Sequence, residues 1–103
     1  MKKQEELEIL RSIDKNNNSS QRELAKELGY SVGKLNHCIK ALKEKGLLKI
    51  KNFKNNKNKI SYLYLLTPRG ISKKTNLTFL FMKRKMREYD ELKREIEKNK
   101  SED

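Results

Sequence analysis

The chain has 103 residues, 34% of them hydrophobic and 39% charged, and a formal net charge of +12. That length predicts one domain with a modest core, which a second copy of the chain would enlarge. One cysteine excludes an intramolecular disulfide, and neither the N-terminal MKKQEELEIL nor the short apolar patch at 77–82 makes a signal peptide or a span of ~20 residues, so a soluble cytoplasmic protein with no membrane partner is expected.

Residues 3–15 read as a first helix, with Leu7, Leu10 and Ile13, helped by Ile9, at helical spacing. Residues 16–19, NNNS, are a loop by composition. Ser20 is placed to cap a second helix, and Glu23 three residues on completes a capping box. Leu24, Ala25 and Leu28 continue the helical period, and Gly29 supplies the left-handed conformation that ends it. Tyr30 fills the corner and Ser31 caps a third helix, which carries Leu35, Ile39 and Leu42 on one face and stops at Gly46. Two short helices, a tight turn containing glycine and a polar, basic outer face on the second of them describe a helix-turn-helix.

After Gly46 the period changes. Residues 47–53, LLKIKNF, alternate Leu48 and Ile50 with Lys49 and Lys51, which is a strand pattern. Residues 54–59, KNNKNK, form a basic tip, and ISYLYLL at 60–66 is the return strand. Ile60, Tyr62, Tyr64 and Leu66 share one face and Ser61, Leu63 and Leu65 the other; both are apolar enough that the pattern does not choose the core side. Thr67 caps the last helix, Pro68 takes its first position and Gly70 is tolerated early in it. The helical pattern runs from about 68 to about 98, weakened at Ser72, Thr75, Asn76 and Thr78, where a kink or break is allowed. Met82, Met86, Tyr89, Leu92 and Ile96 then form a narrow stripe with nothing of the same chain left to cover it. A helix of some thirty residues is ~45 Å long, more than the small domain it leaves. The stripe, with Leu77, Phe79, Leu80 and Phe81 ahead of it, therefore predicts a homodimer interface. The expected architecture is mostly α with a two-stranded β-hairpin: a winged helix-turn-helix over 1–66, a C-terminal dimerisation helix over 67–100 and a disordered tail at 101–103.

The charge is segregated. Residues 31–74 hold twelve lysines and arginines against one acid, Glu44, whereas 1–30 are neutral and 75–103 nearly so. A local excess of this kind is the electrostatic footprint of a polyanion site. With Leu35, Ile39 and Leu42 turned inward, Gly33, His37, Lys40 and Glu44 point outward, flanked by Lys34, Asn36 and Ala41. Asn36 is suited to adenine, and Lys34 or His37 to guanine or phosphate. Ser31, Lys40 and Lys43 are placed for backbone contacts, as are Ser20, Gln21 and Arg22 at the start of the preceding helix. In the hairpin, Lys51, Lys54, Asn55, Lys57 and Lys59 are expected on the phosphates or in the minor groove. Double-stranded DNA is the expected partner; a protein-interaction or RNA-binding module is the alternative. His37 and Cys38, the one histidine and the one cysteine, diverge on their helix and make no metal site. No nucleophile–base pair and no phosphate-binding glycine loop can be assembled, so no catalytic residue, no cofactor and no enzyme are expected.

The run SQRELAKELGYSVGKLNHCIKALKEKGLLKIKNFKNNKNKISYLYLLTPRG resembles the winged helix-turn-helix of MarR-type transcriptional regulators, with LTPRG at 66–70 similar to that family's LTPxG. The basic wing and the tail FMKRKMREYDELKREIE are similar to the short bacterial members called EPS-associated regulators, found near exopolysaccharide genes. The resemblance implies a homodimer with the third helix as recognition helix and the wing on the backbone. Larger members carry extra N-terminal helices around a ligand pocket. This chain opens at the first helix of the DNA-binding part, so a small-molecule effector is not evident.

Overall fold

In the computed structural model, residues 1–16, 20–54 and 60–102 are described, with their side chains outside 53–61 and 101–102. Residues 17–19 of the expected loop at 16–19 and residues 55–59 of the expected hairpin tip at 54–59 lie outside the described residues. The order is α1 (Lys3–Lys15), α2 (Gln21–Leu28), α3 (Val32–Glu44), β1 (Leu48–Lys54), β2 (Ile60–Leu66) and α4 (Pro68–Glu102).

Two turns of the same chemistry shape the N-terminal half. At the end of α2, Gly29 adopts φ 74°, its N–H donates to the Lys26 carbonyl, and the Tyr30 N–H reaches the Ala25 carbonyl at 2.8 Å. At the end of α3, Gly46 adopts φ 76°, its N–H donates to Lys43, and Leu47 N–H donates to Leu42. Both satisfy the last carbonyls of a helix in the Schellman pattern and send the chain off at a sharp angle. Ser20 Oγ accepts the Glu23 N–H at 3.2 Å and Ser31 Oγ accepts the Lys34 N–H at 3.1 Å, so both predicted N-caps form.

The core joins Ile9, Leu10 and Ile13 of α1, Leu24 and Ala25 of α2, Leu35, Cys38, Ile39 and Leu42 of α3, and Leu47, Leu48 and Tyr64 of the hairpin. Each large side chain buried there contributes about 1.5–3 kcal/mol. The antiparallel register pairs Leu48 with Leu66 and Ile50 with Tyr64. The Tyr64 face is the one that meets the core, with Ile50 and Leu66 packed beside it. Tyr62, two residues farther out, is exposed. Glu6 is also buried, and its Oε1 has no hydrogen-bond partner.

The start of α4 is locked to the turn after α3. Thr67 N–H donates to the Leu47 carbonyl, Thr67 Oγ1–H donates to the Gly46 carbonyl at 2.5 Å, and the same oxygen accepts the Gly70 N–H. Gly70 lies so close to this turn that a Cβ would fall 2.1 Å from the Leu47 carbonyl oxygen. Thereafter α4 is one unbroken helix. The weak stretch at 72–78 holds because Leu77 is buried, Lys74 pairs with Asp14 at the end of α1, and Thr78 Oγ1–H donates to the Lys74 carbonyl one turn back. Tertiary anchoring overrides the poor local propensity there.

Candidate nucleic-acid interface

The outer surface of α3 is built by exclusion. Leu35, Cys38, Ile39 and Leu42 occupy the core, so Gly33, His37, Lys40, Lys43 and Glu44 are left exposed. No atom lies within 4 Å of where a Gly33 Cβ would be, so the first turn of α3 presents bare backbone. Ser31, which caps that turn, is exposed as well and keeps its hydroxyl proton for another acceptor.

Asn36 is half-buried and tied to α2, because Gln21 Nε2 donates to Asn36 Oδ1 at 3.4 Å. Gln21 also lies near the hydroxyl of Tyr64, whose pKa burial raises and this neighbour partly lowers. A polar chain thus runs from the hairpin through the first residue of α2 to the middle of α3. Ser20 and Arg22, on either side of Gln21, are exposed.

Lys34 departs from the expected picture of a free recognition lysine. Its Nζ lies 2.9 Å from Glu5 Oε2 on α1 and 4.1 Å over the Tyr30 ring. The Lys34 ammonium holds the Glu5 carboxyl below its ordinary value of 4.5. Tyr30, in turn, donates its hydroxyl to Glu8 Oε2 at 2.9 Å. Burial, with the Glu8 hydrogen bond added, pushes the Tyr30 phenol well above its usual range. The corner residue and two carboxylates one turn apart on α1 therefore hold the root of α3.

Residues 6–49 match a family model described as winged helix-turn-helix DNA-binding. The structure is similar to Staphylococcus aureus MarR in complex with salicylate and kanamycin, at 21% identity and a TM-score of 0.66 over 84% of this chain. The chain spans 56% of the length of that structure. It is also similar to a possible transcriptional regulator from Methanosarcina mazei Go1, at 19% identity and a TM-score of 0.50, over 84% of this chain and 75% of the other. No curated protein sequence matches the chain significantly. The fold is a winged helix-turn-helix.

In this winged helix the hairpin is the wing. Lys49 and Lys51 are exposed along β1. Lys54 ends β1, but its side chain, and all of Asn55, Lys57 and Lys59, lie outside the described residues.

Beyond the winged helix, α4 carries the stripe. Met82, Met86, Tyr89, Leu92 and Ile96 are all exposed, Tyr89 to 65%. Leu77 does not join them: it is 4% exposed, because α4 lies against α1 there, and it serves its own domain. Phe81 is also partly drawn to that side, lining a groove with Leu7 and Arg11 of α1 and lying beneath the Arg84 guanidinium. Phe79 and Leu80, ahead of the stripe, are exposed, and so is Ile71, which the expected set lacked. Phe79 lies three residues before Met82 and continues its period. The tie from Gln21 to Asn36 and the clamp on Lys34 were not readable, since both join residues on different helices.

Proposed function

We propose that this chain is a sequence-specific double-stranded DNA-binding transcription regulator that works as a homodimer. α3 enters the major groove, and the wing follows the phosphate backbone or the minor groove. The observation that carries this reading is the outer face of α3: Gly33, His37, Lys40 and Lys43 are exposed together, on the helix that winged helix-turn-helix proteins present to DNA. The concentration of positive charge in 31–74, which starts at this helix and continues through the wing, supports it. Asn36 and His37 read base edges, Ser20, Arg22, Ser31, Lys40 and Lys43 hold phosphates, and the wing lysines add sequence-independent affinity.

The homodimer reading rests on the exposed stripe from Met82 to Ile96. A two-fold axis through paired α4 helices sets two copies of α3 against successive major grooves, with half-sites about one helical turn apart, and a pseudo-palindromic operator follows. Competition among duplex DNA, structured RNA and single strands tests the choice of partner. Duplex is expected to win by at least tenfold; equal or better binding of folded RNA overturns the reading. Genome-wide mapping of bound DNA then tests whether the sites lie near exopolysaccharide genes, as the sequence resemblance implies.

A further inference from the structure

The positive charge of the recognition face is unevenly available, and Lys34 marks the difference. Lys40 and Lys43 are exposed on α3, whereas Lys34, at the turn that would enter the groove first, is turned back onto α1. Glu5 takes its ammonium at 2.9 Å, the Tyr30 ring lies beneath it, and Glu8 holds Tyr30 by its hydroxyl. Lys34 thus has an anion and a π face as partners in the free protein, yet its side chain stays 48% exposed. An ion pair this open to water is weak enough for a phosphate to displace.

We propose that Glu5 limits the affinity of this protein for DNA: it holds Lys34 on α1, and Lys34 must leave it to reach a phosphate. The inference rests on the reading of α3 as the DNA-facing helix. Non-specific binding is almost wholly electrostatic, so a lysine that stays on Glu5 lowers affinity for every non-cognate site. On the cognate site, base contacts from the middle of α3 draw its first turn into the groove, where a phosphate replaces Glu5 as partner of Lys34. The free protein gives up the Lys34–Glu5 pair to bind there too, so Glu5 lowers cognate and competing affinities alike and sets the overall strength of binding.

The test uses the full chain as wild type, Glu5→Gln, Lys34→Met and the double variant. Two probes are needed: a mixed-sequence duplex, and a duplex selected by the wild-type protein from a random pool. On the mixed-sequence duplex, Glu5→Gln should bind about two- to fivefold more tightly near ~0.1 M salt, with a log–log salt slope steeper by about 0.9, the signature of one added phosphate contact. The double variant should return to the wild-type slope, and Lys34→Met alone should leave that slope unchanged. On the selected duplex, Glu5→Gln should also bind about two- to fivefold more tightly, because the free protein has no pair to give up, with an unchanged salt slope, since Lys34 is on phosphate in both proteins. A Glu5→Gln slope on the mixed-sequence duplex equal to wild type, or a gain that survives in the Lys34→Met background, overturns the proposal while leaving the DNA reading intact. A wild-type protein that binds neither duplex overturns the DNA reading itself.

Discussion

Asn36 accepts a hydrogen bond from Gln21 through Oδ1 and still has both amide protons and a lone pair to offer. A side chain held by a neighbour reaches a base edge with less entropy to lose than a free one. Asn36→Ala or His37→Ala should therefore reduce discrimination between the selected duplex and its single-base variants by about 1–3 kcal/mol. Lys40→Ala with Lys43→Ala should weaken all duplexes alike. Binding isotherms on a panel of base-pair substitutions check the division, and equal behaviour of the two sets contradicts it. Glu6 makes a different prediction. Its buried Oε1 without a partner costs stability, so Glu6→Met should stabilise the fold by about 1–2 kcal/mol in chemical denaturation. The sequence marks Glu6 only as one more charge on α1; its burial follows from its place one turn ahead of Ile9 and Leu10 and two ahead of Ile13, where the apolar face continues past the apolar residues.

Among the elements, the helix-turn-helix was legible because its caps and glycines act locally: Ser20, Gly29, Ser31 and Gly46 each satisfy or turn backbone within a few residues. The hairpin's core face was not, since Tyr64 and Leu63 are equally good strand residues and only the neighbouring helices choose between them. Gly70 was underread for the same reason. It looked merely permitted near a helix start, whereas it is the point where α4 touches the Leu47 carbonyl. Gly70→Ala must push α4 off the turn after α3 and should cost about 1–3 kcal/mol, the range for overpacking a tight contact. Thermal denaturation checks this, and a loss under ~0.5 kcal/mol, typical of an unconstrained surface site, contradicts it. The unbroken course of α4 through 72–78 was likewise decided by anchors on α1, namely Asp14 for Lys74 and the burial of Leu77.

The whole molecule measures 70 × 26 × 21 Å, with a Cα radius of gyration of 18.7 Å. A compact chain of this length would have a radius near ~13 Å. The excess is α4, whose 35 residues make a rod of about 52 Å that leaves the domain with its apolar stripe uncovered. Pairing of two rods through that stripe is the account proposed for it. Met86→Asp with Tyr89→Asp should convert a dimer to a monomer in sedimentation or light scattering without unfolding the winged helix, since neither side chain is buried in its own chain. Binding to an operator with two half-sites should then weaken by about a hundredfold or more through lost avidity, with single half-site binding little changed.

The central claim is that α3 and the wing form one surface for the phosphates and bases of duplex DNA. The most direct test is the affinity of the wild-type protein for its selected duplex from about 50 to 200 mM salt. Contacts from six or more basic side chains of a dimer predict a fall of about a thousandfold or more across that range. Affinity that is flat with salt would contradict the account.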